Sequence, residues 1–465
     1  MKFINRSAEL SILEEEFNLL SQRASLCVIY GRRRIGKTEL IKEFAKAHDN
    51  IYFLATLQSK EEVIKNFSIK AAEHFKDSAA LANPHTTWEG FFQYLEREIS
   101  SRKAPIVLSF DEFTYLIQQD HSIPSIFQYY WDEKLKHLPV MMILCGSYVG
   151  MMEKEVLSYK SPLYGRNTRN LFIHELEFKH LKSFFPSYSK EQLVETYAIL
   201  GAVPFYLMQF NPGKLPLENV RDVFLDKSRS LYNDGLLLLR EEVKEPRNYL
   251  SILKAISFGK STPKEIADSA YLDQLLVGKY LDVLRGMKIV ERQVPATELN
   301  PEKCKKSIYR ICDNYYDFWL KFVYPCSDYV EQGRKEELVN SIIAPNFKAY
   351  VGRAFEKLSR RKLIELNKSG LLQFRFVHIG PWWSGDTEID AVAINPQTKQ
   401  ILFAEIKWSK LKDKDVSGIV SGLKRKAAKV DWNKGDREEY FAVVAAKIQG
   451  KQKTENVLLL DLDDF

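Results

Sequence analysis

Short apolar runs alternate with amphipathic stretches through the first part of the chain. Runs with the length and composition of buried strands cover residues 26–30, 51–56, 106–110 and 140–145. Between the first two, residues 37–47 carry apolar side chains at the spacing of a helix. Short apolar strands separated by helices are typical of a parallel sheet that is covered on both faces. The pattern therefore predicts an α/β core over residues 1–170.

The pattern changes twice after this core. Residues 171–247 are mostly helical in pattern. Within residues 248–330, three short helical patterns precede two strand-like ones, and they cover 249–257, 263–269, 272–284, 288–294 and 307–311. Three helices and a two-stranded wing predict a winged helix-turn-helix. Its candidate recognition helix is nearly neutral in charge, so a DNA-reading role and a role as a packing scaffold both stay open.

A second α/β pattern occupies residues 331–465. It predicts a helix at 347–367, strands at 374–378, 388–394 and 401–408, a basic helix at 416–430 and a strand at 440–445. The mixture of strands and helices predicts a further domain with its own sheet.

Composition narrows the class of protein. Hydrophobic residues make up 45% and charged residues 28%, as in ordinary globular proteins, and 465 residues predict about three domains at ~150 residues each. No apolar stretch approaches the ~20 residues that span a bilayer, so no membrane partner is expected. We predict no secretory signal, and the scattered cysteines lack metal-ligand spacing. These features favour a cytoplasmic protein with reduced thiols.

The net charge of +7 is unevenly distributed. Residues 403–453 contain 13 lysines and arginines against 7 aspartates and glutamates, so most of the excess lies near the C-terminus. A surface for nucleic acid and a solvated helix face both account for this excess.

A phosphate-binding motif lies between the first strand and the first helix. It fits the pattern G-x-x-x-x-G-K-[ST] in full with Gly31, Arg32, Arg33, Arg34, Ile35, Gly36, Lys37 and Thr38. The glycines let backbone N–H groups turn towards a phosphate, and the helix N-terminus adds its positive dipole end. We expect Lys37 to reach the β- and γ-phosphates of ATP, and Thr38 to complete a Mg²⁺ shell.

An acidic pair ends the strand predicted at 106–110. We expect Asp111 to hold Mg²⁺ and Glu112 to polarise the attacking water, because phosphoryl transfer needs both charge neutralisation and an oriented nucleophile. Ser147 follows the strand at 140–145 and is a candidate sensor of the γ-phosphate. Arg166 follows a loop, where it either reads the γ-phosphate, in cis or across subunits, or forms a structural salt bridge.

A second candidate site lies in the C-terminal region. Glu405 and Lys407 are two residues apart, so they project from one face of a strand, and a hairpin brings Asp390 alongside them. Glu356 lies on the upstream helix. Carboxylate oxygens suit Mg²⁺ or Mn²⁺, and we expect Asp390 and Glu405 to be the metal ligands and Lys407 to position or deprotonate water. The following helix carries basic residues suited to phosphate contacts, which are Lys424, Arg425, Lys426 and Lys429.

Several motifs in order resemble the archaeal-type ATPase family, one of the signal-transduction ATPases with numerous domains (STAND) and a relative of AAA+ proteins. They are Asn5-Arg6, Glu9-Leu10, the phosphate-binding loop, Asp111-Glu112, Gly146-Ser147, the segment 162–166 and Gly201-Ala202-Val203-Pro204. The resemblance implies an adenine pocket near Phe3 and Arg6, a helical lid over 171–247 and the winged helix. The family has one residue between the glycine and the proline, whereas two separate Gly201 from Pro204.

The C-terminal acids resemble the PD-(D/E)XK nuclease superfamily. Asp390, Glu405-x-Lys407 and Glu356 match its pattern, although Ile389 stands where a proline is usual. The resemblance implies a restriction-endonuclease-like α/β fold over 331–465.

Together these patterns predict an ATP-hydrolysing protein with a metal-dependent nuclease-like domain that acts on nucleic acid, with DNA favoured over RNA. The cofactors would be ATP and Mg²⁺, with Mn²⁺ as an alternative at the C-terminal site. The other interpretation is a regulatory ATPase switch whose C-terminal domain binds DNA or a protein partner without cleavage. Assembly into a homo-oligomer stays open.

Overall fold

The computed structural model describes residues 3–102, 104–243, 245–451 and 457–465, which fall into two units. The first unit runs to Leu176 and includes Val203–Phe205. The second contains Glu177–Ala202 and Tyr206–Phe465. The finer boundaries at 170, 247 and 330 stay a prediction.

A parallel sheet forms the centre of the first unit. Its strands are β1 (Ser25–Tyr30), β2 (Asn50–Leu54), β3 (Ile106–Asp111), β4 (Val140–Gly146) and β5 (Arg169–Phe172), in the order β2-β3-β4-β1-β5. All neighbouring strands are parallel, which confirms the predicted sheet. The edge strand β5 was not predicted, because it begins with the exposed residues Arg169 and Asn170 and has no continuous apolar run.

Helices cover this sheet. They are α1 (Ser7–Asn18), α2 (Lys37–Ala45), α3 (Lys60–Phe75), α4 (Ser78–Ala82), α5 (Trp88–Arg102), α6 (Phe113–Gln119), α7 (Ile123–Glu133) and α8 (Val149–Met151). Alternate residues of β1 enter two different apolar clusters: Leu26 and Val28 join one, Cys27 and Ile29 the other. Because successive strand side chains point to opposite faces, the sheet is buried on both sides.

The second unit begins with helices. They are α9 (Leu181–Phe184), α10 (Lys190–Leu200), α11 (Pro204–Leu207, which starts in the first unit), α12 (Pro216–Asn219) and α13 (Ser230–Glu242). Ser189 and Gln192 form a capping box at the start of α10.

The winged-helix elements form where the sequence predicts them. They are α14 (Pro246–Ser257), α15 (Pro263–Ala270), α16 (Gln274–Gly286), β6 (Val290–Gln293) and β7 (Ile308–Ile311), followed by α17 (Asn314–Phe318), α18 (Ser327–Glu331) and α19 (Lys335–Leu338). Strands β6 and β7 pair antiparallel as a wing. Thr262 and Glu265 cap α15, and Pro263 occupies its first turn, where the missing N–H costs nothing.

A mixed sheet with two flanking helices forms the C-terminal part of this unit. Its elements are α20 (Ala344–Lys368), β8 (His378–Ser384), β9 (Thr387–Asn395), β10 (Gln400–Leu411), α21 (Asp413–Ala427), β11 (Glu438–Ile448) and β12 (Val457–Leu460). Strands β8, β9 and β10 pair antiparallel, whereas β10, β11 and β12 are parallel. Helices α20 and α21 both pack on β10, so this strand is the centre of the domain.

The predicted strand at 374–378 is wrong. Phe376 is buried, but its N–H and C=O bond to the side chain of Asn367, which replaces a strand partner. The strand forms later, as β8, although it contains Pro381. It can do so because β8 is an edge strand with an irregular register between Gly380 and Trp382.

Contacts on two sides hold the C-terminal sheet and α20 against the rest of the second unit. In the loop of the wing, Ala296 donates its N–H to the carbonyl of Pro381 at 2.9 Å and lies in the apolar cluster of the C-terminal sheet. On the other side, the Tyr350 hydroxyl of α20 donates to the carbonyl of Ala198 in α10 at 2.8 Å, and the Arg361 guanidinium donates to the Tyr197 hydroxyl at 2.7 Å. The loop of the wing therefore packs on the C-terminal sheet. This contact favours a role of the winged helix as a packing scaffold over a role in reading DNA. Among the described residues, no helix has both the length and the apolar character to cross a membrane.

A side chain at Gly31 is predicted to destabilise the first unit. A Cβ there would lie 2.6 Å from the backbone oxygen of Ile173, and neither segment can move apart without disturbing the pairing of β1 with β5. We expect Gly31→Ala to lower the free energy of unfolding by about 2 kcal/mol. The control is Gly150→Ala in the same unit, whose Cβ would meet Tyr148 at an ordinary 3.7 Å. Urea denaturation of both variants measures the difference, and equal midpoints would contradict the packing described.

Candidate functional site

The phosphate-binding loop joins β1 to α2. Gly36 precedes the helix with φ of 93°, a left-handed conformation that glycine adopts without strain. The Lys37 ammonium folds back over the loop and donates to the carbonyls of Gly31 and Arg32 at 2.9 Å each. Burial lowers the pKa of Lys37, and the neighbouring acids oppose that shift. The Lys37 ammonium therefore lies within the loop, where the motif requires a positive charge to bind the phosphates.

The loop arginines turn to aromatic neighbours. Arg33 donates to the Tyr115 hydroxyl at 2.7 Å, and the Arg34 guanidinium lies 4.4 Å from the centre of the Phe205 ring. Ile35 is buried in the apolar cluster under the loop. These contacts fix the outer side of the loop.

The Asp111 carboxylate is the centre of a hydrogen-bond network. It is 1% exposed and accepts from the Thr38 hydroxyl at 2.7 Å, from the Tyr52 hydroxyl at 2.6 Å and from the N–H of Glu112 at 2.9 Å. The structure therefore brings together Thr38 and Asp111, the two expected Mg²⁺ ligands. Tyr52 was not predicted as a site residue, because a tyrosine in a strand with alternating burial is usually explained by packing alone. Burial and the Asp111 charge raise the pKa of Tyr52 strongly, so it remains a donor.

Glu112 and Ser147 meet at the ends of neighbouring strands. The Ser147 hydroxyl donates to Oε1 of Glu112 at 2.9 Å, while Oε2 of Glu112 is buried and has no hydrogen-bond partner among the described residues. A buried carboxylate oxygen needs a partner, so this atom fits a water or a ligand group in the site. Glu112 also has a positive φ of 54°, a strain that active-site residues commonly carry.

Arg166 forms an ion pair in this structure. Its Nε and Nη2 atoms both lie 2.8 Å from Oδ2 of Asp132, and its Nη1 donates to the carbonyl of Pro162 at 2.8 Å. This is the salt bridge that the sequence left open as the alternative. A role in phosphate reading stays a prediction, and it requires Arg166 to leave Asp132.

Two expected nucleotide contacts lie beside the loop. The Arg6 guanidinium is buried and donates to the carbonyls of Ile35 and His174 at 3.0 and 2.7 Å. The Pro204 ring also lies near the loop, because a Cβ on Gly36 would be 4.0 Å from its Cγ. The additional residue between Gly201 and Pro204 therefore does not keep the proline away from the loop.

The C-terminal acids converge on one lysine. The Lys407 ammonium lies 2.8 Å from Oε1 of Glu405 and 3.8 Å from Oδ2 of Asp390, on the adjacent strand β9. Asp390 also accepts the N–H of Ile406 at 2.7 Å, which fixes its side chain against β10. Burial lowers the pKa of Lys407, but the Glu405 and Asp390 contacts outweigh it and raise the pKa overall. Lys407 is therefore a cation held between two carboxylates.

A second lysine contacts Glu405. From the sequence, Lys426 belongs to the basic helix whose side chains suit phosphate contacts. In the structure its ammonium reaches from α21 to Oε1 and Oε2 of Glu405, at 2.9 Å each. The contact spans 21 residues, so strand spacing could not indicate it. Lys424, Arg425 and Lys429 are exposed, as predicted.

Glu356 faces this cluster from α20. Burial, and next the charge of Asp390, raise the pKa of Glu356 to about 7. Burial and the Glu405 charge also raise the pKa of Asp390. The described residues contain no group of three or more acidic, histidine or cysteine side chains already arranged around one metal position. The chemistry of the donor set nevertheless fits a cation, because Asp390 and Glu405 already share the Lys407 ammonium.

The raised pKa of Glu356 predicts a pH dependence of stability. The folded state holds the proton more tightly than the unfolded state, whose glutamate has its ordinary pKa near 4.5, so ionisation between these values destabilises the fold. Without metal, the wild type should lose about 1–3 kcal/mol relative to Glu356→Gln as the pH rises from 4.5 to 8. Urea midpoints in EDTA measure this difference. The control Glu365→Gln changes an exposed acid of the same helix, and an identical trend in both variants would contradict the assignment.

Comparisons with known proteins agree with the geometry of the first site. A family model described as "ATPase domain predominantly from Archaea" matches residues 3–210. A second, described as "Archaea bacterial proteins of unknown function", matches residues 319–419. The solved Walker-type ATPase of Pyrococcus abyssi is 23% identical, with a TM-score of 0.52 over 68% of this chain and 96% of that one. At that identity the likeness shows the fold alone.

Full-length similarity comes from Methanocaldococcus jannaschii. An uncharacterized protein of that organism is 37% identical over 469 residues, covering 100% of both chains. An ATP-binding protein of the same organism is 52% identical over 42 residues, which cover 9% of this chain and 68% of that protein. The chain therefore belongs to one family with this Methanocaldococcus relative, and its residues 3–210 form an archaeal P-loop ATPase domain.

Proposed function

We propose that this ATPase carries a second, metal-dependent site that cleaves nucleic-acid phosphodiesters. The observation that carries the proposal is the Lys407 ammonium between Asp390 and Glu405. Two carboxylates on adjacent strands already bind one cation there. The order of elements α20, β8, β9, β10, α21 and β11 supports the proposal, since it gives the compact α/β domain expected around these residues.

Each polar residue of the nucleotide site has one proposed role in ATP hydrolysis. Lys37 would bind the β- and γ-phosphates, with the loop N–H groups around them. Thr38 and Asp111 would hold Mg²⁺, which neutralises charge on the phosphates when it is bound. Glu112 would orient the attacking water through Oε2, which no described residue contacts by a hydrogen bond, while Ser147 holds Oε1. The water oxygen bonds to the γ-phosphorus, the bond to the β-phosphate oxygen breaks, and the released proton passes to solvent.

The C-terminal site would cleave a phosphodiester bond of nucleic acid, and not the terminal phosphate bond of ATP. Asp390 and Glu405 would hold Mg²⁺ or Mn²⁺, which when bound lowers the pKa of its water and polarises the phosphate. Lys407 remains protonated beside the two acids, so it suits water positioning and charge stabilisation better than proton abstraction. Glu356 lies near enough to influence Asp390 and would accept a proton from the water. As the water oxygen bonds to phosphorus, the bond from phosphorus to one sugar oxygen of the nucleic acid breaks, and that oxygen leaves as a hydroxyl after taking a proton from solvent.

Nucleic acid is the proposed substrate because of the charge beside the site. Lys424, Arg425 and Lys429 are exposed on or just after α21, whose Lys426 contacts Glu405. Backbone phosphates bind such side chains without regard to sequence. We propose DNA as the natural substrate and compare it directly with RNA.

The regulatory switch is the second candidate. Glu405 carries two ammonium contacts, and a domain that binds without cutting could retain them permanently. Nucleotide hydrolysis would then change the conformation of the protein, and the C-terminal domain would bind DNA or a protein partner.

Variants of the nucleotide site should separate binding from turnover. We expect Lys37→Ala to lose ATP binding and to lower hydrolysis about 100-fold or more, because it removes the phosphate-binding cation. Glu112→Gln should retain ATP binding and lose turnover about 100-fold or more, because it removes only the water-orienting charge. Calorimetry and phosphate release measure the two properties. Lys46→Ala, at the exposed end of α2, is the control, and unchanged hydrolysis in either site variant would refute the roles.

Variants of the C-terminal site should separate metal binding from cleavage. Asp390→Ala should lose both together, whereas Lys407→Ala should retain most metal binding and lower cleavage about 100-fold or more. ATP hydrolysis should survive both changes, since the phosphate-binding loop belongs to the other unit. The control Lys410→Ala removes an exposed lysine of the same strand.

The assay uses plasmid, single-stranded DNA and RNA with Mg²⁺ or Mn²⁺, with and without ATP. If the wild type cuts none of them, the regulatory switch is the better description. If Asp390→Ala cuts as well as the wild type, the activity is real and the assignment of its site is wrong.

A further inference from the structure

The two lysines on Glu405 are held differently. Lys407 is anchored on the same strand and lies between Glu405 and Asp390. Lys426 arrives from α21, and its ion pair is with Glu405, whose two oxygens it contacts at 2.9 Å. The Glu405 residue is 8% exposed, whereas the Lys426 side chain is 34% exposed. Lys426 therefore has access to solvent that the carboxylate lacks.

The Lys426 pairing competes with metal binding at the same carboxylate. A divalent cation needs the carboxylate oxygens that Lys426 contacts. Electrostatic repulsion also opposes metal binding, because a divalent cation would enter a partly buried site that already contains two ammonium groups. Metal binding at this site is therefore unfavourable until Lys426 moves or a further anion arrives.

A nucleic-acid phosphate would provide both a new partner for Lys426 and the additional negative charge that the metal site needs. It brings negative charge to the site, and its oxygens accept hydrogen bonds from an ammonium group as a carboxylate does. The exposed side chains of Lys424 and Arg425 lie next to Lys426 in sequence and attract a phosphate backbone to this helix.

We propose that Lys426 exchanges partners, from Glu405 in the free protein to a backbone phosphate in the complex, and so releases Glu405 for the metal. This inference rests on the proposed metal-dependent phosphodiesterase. Lys426 is a positioning residue in this scheme, since it controls the availability of a metal ligand. The consequence is positive coupling: nucleic acid tightens metal binding, and metal tightens nucleic-acid binding by the same factor.

The experiment measures Mn²⁺ affinity of the full-length protein by calorimetry, with and without a short phosphorothioate DNA duplex that keeps the backbone charge and resists cleavage. Titration of Asp390→Ala identifies the C-terminal site as the Mn²⁺ binding that this variant loses. For the wild type we expect the duplex to tighten Mn²⁺ binding by about tenfold or more, within the range of ordinary coupling between sites.

Three variants define the role of Lys426. Lys426→Ala should bind Mn²⁺ without the duplex more tightly than the wild type does, and its coupling should fall below about twofold. Lys426→Arg keeps the charge and should restore the coupling. Lys414→Ala removes the same charge from an exposed position of the same helix and should leave the coupling intact. Thermal melting of each variant shows whether it is folded, and Lys426→Gln replaces Lys426→Ala if the latter is not.

Each result has one meaning. If Asp390→Ala loses no Mn²⁺ binding, the proposed metal site is refuted. The proposed exchange of Lys426 between Glu405 and a phosphate is then refuted as well. If the wild type binds Mn²⁺ at that site but Lys426→Ala has unchanged affinity and coupling, only the exchange is refuted. If Lys414→Ala behaves like Lys426→Ala, a general loss of positive charge explains the effect and the specific role of Lys426 is refuted.

Discussion

A carboxylate withdrawn from water must be paired, and this constraint shapes both sites of the chain. Asp111 is 1% exposed and Glu405 is 8% exposed. The partners of Asp111 are two hydroxyls and a backbone N–H, which satisfy its oxygens but leave its charge in place. The partners of Glu405 are two ammonium groups, which neutralise it. The negative charge of Asp111 therefore stays unneutralised by these partners, whereas Glu405 is paired with two lysines, one of which has to move before another cation can bind.

The features that the sequence predicts best are those encoded by near neighbours. The phosphate-binding loop lies within eight consecutive positions, 31–38, and its strand and helix follow from the apolar runs on either side. The spacing of Glu405 and Lys407 places both on one face of a strand, and the short turn before Gln400 makes β9 its neighbour. In each case local periodicity is enough, because the partners are close in sequence or joined by one turn.

The features that the sequence does not predict depend on distant partners. Strand β5 has little apolar character of its own and forms because β1 offers it an edge. Residues 374–378 alternate like a strand, but Asn367 takes the backbone groups of Phe376. The ion pair of Lys426 with Glu405 depends on how α21 packs on β10, which no motif records. Tertiary packing overrides pattern at each of these places.

We propose above all that Asp390 and Glu405 form a metal site that exchanges a lysine for a divalent cation. Anomalous diffraction from crystals of the protein grown with Mn²⁺ and the uncleavable duplex is the sharpest test of this exchange. We expect a manganese peak bonded to carboxylate oxygens of Asp390 and Glu405, with the Lys426 ammonium on a backbone phosphate. Crystals with the duplex bound in which Lys426 still contacts Glu405 and no manganese lies between the two acids would contradict it.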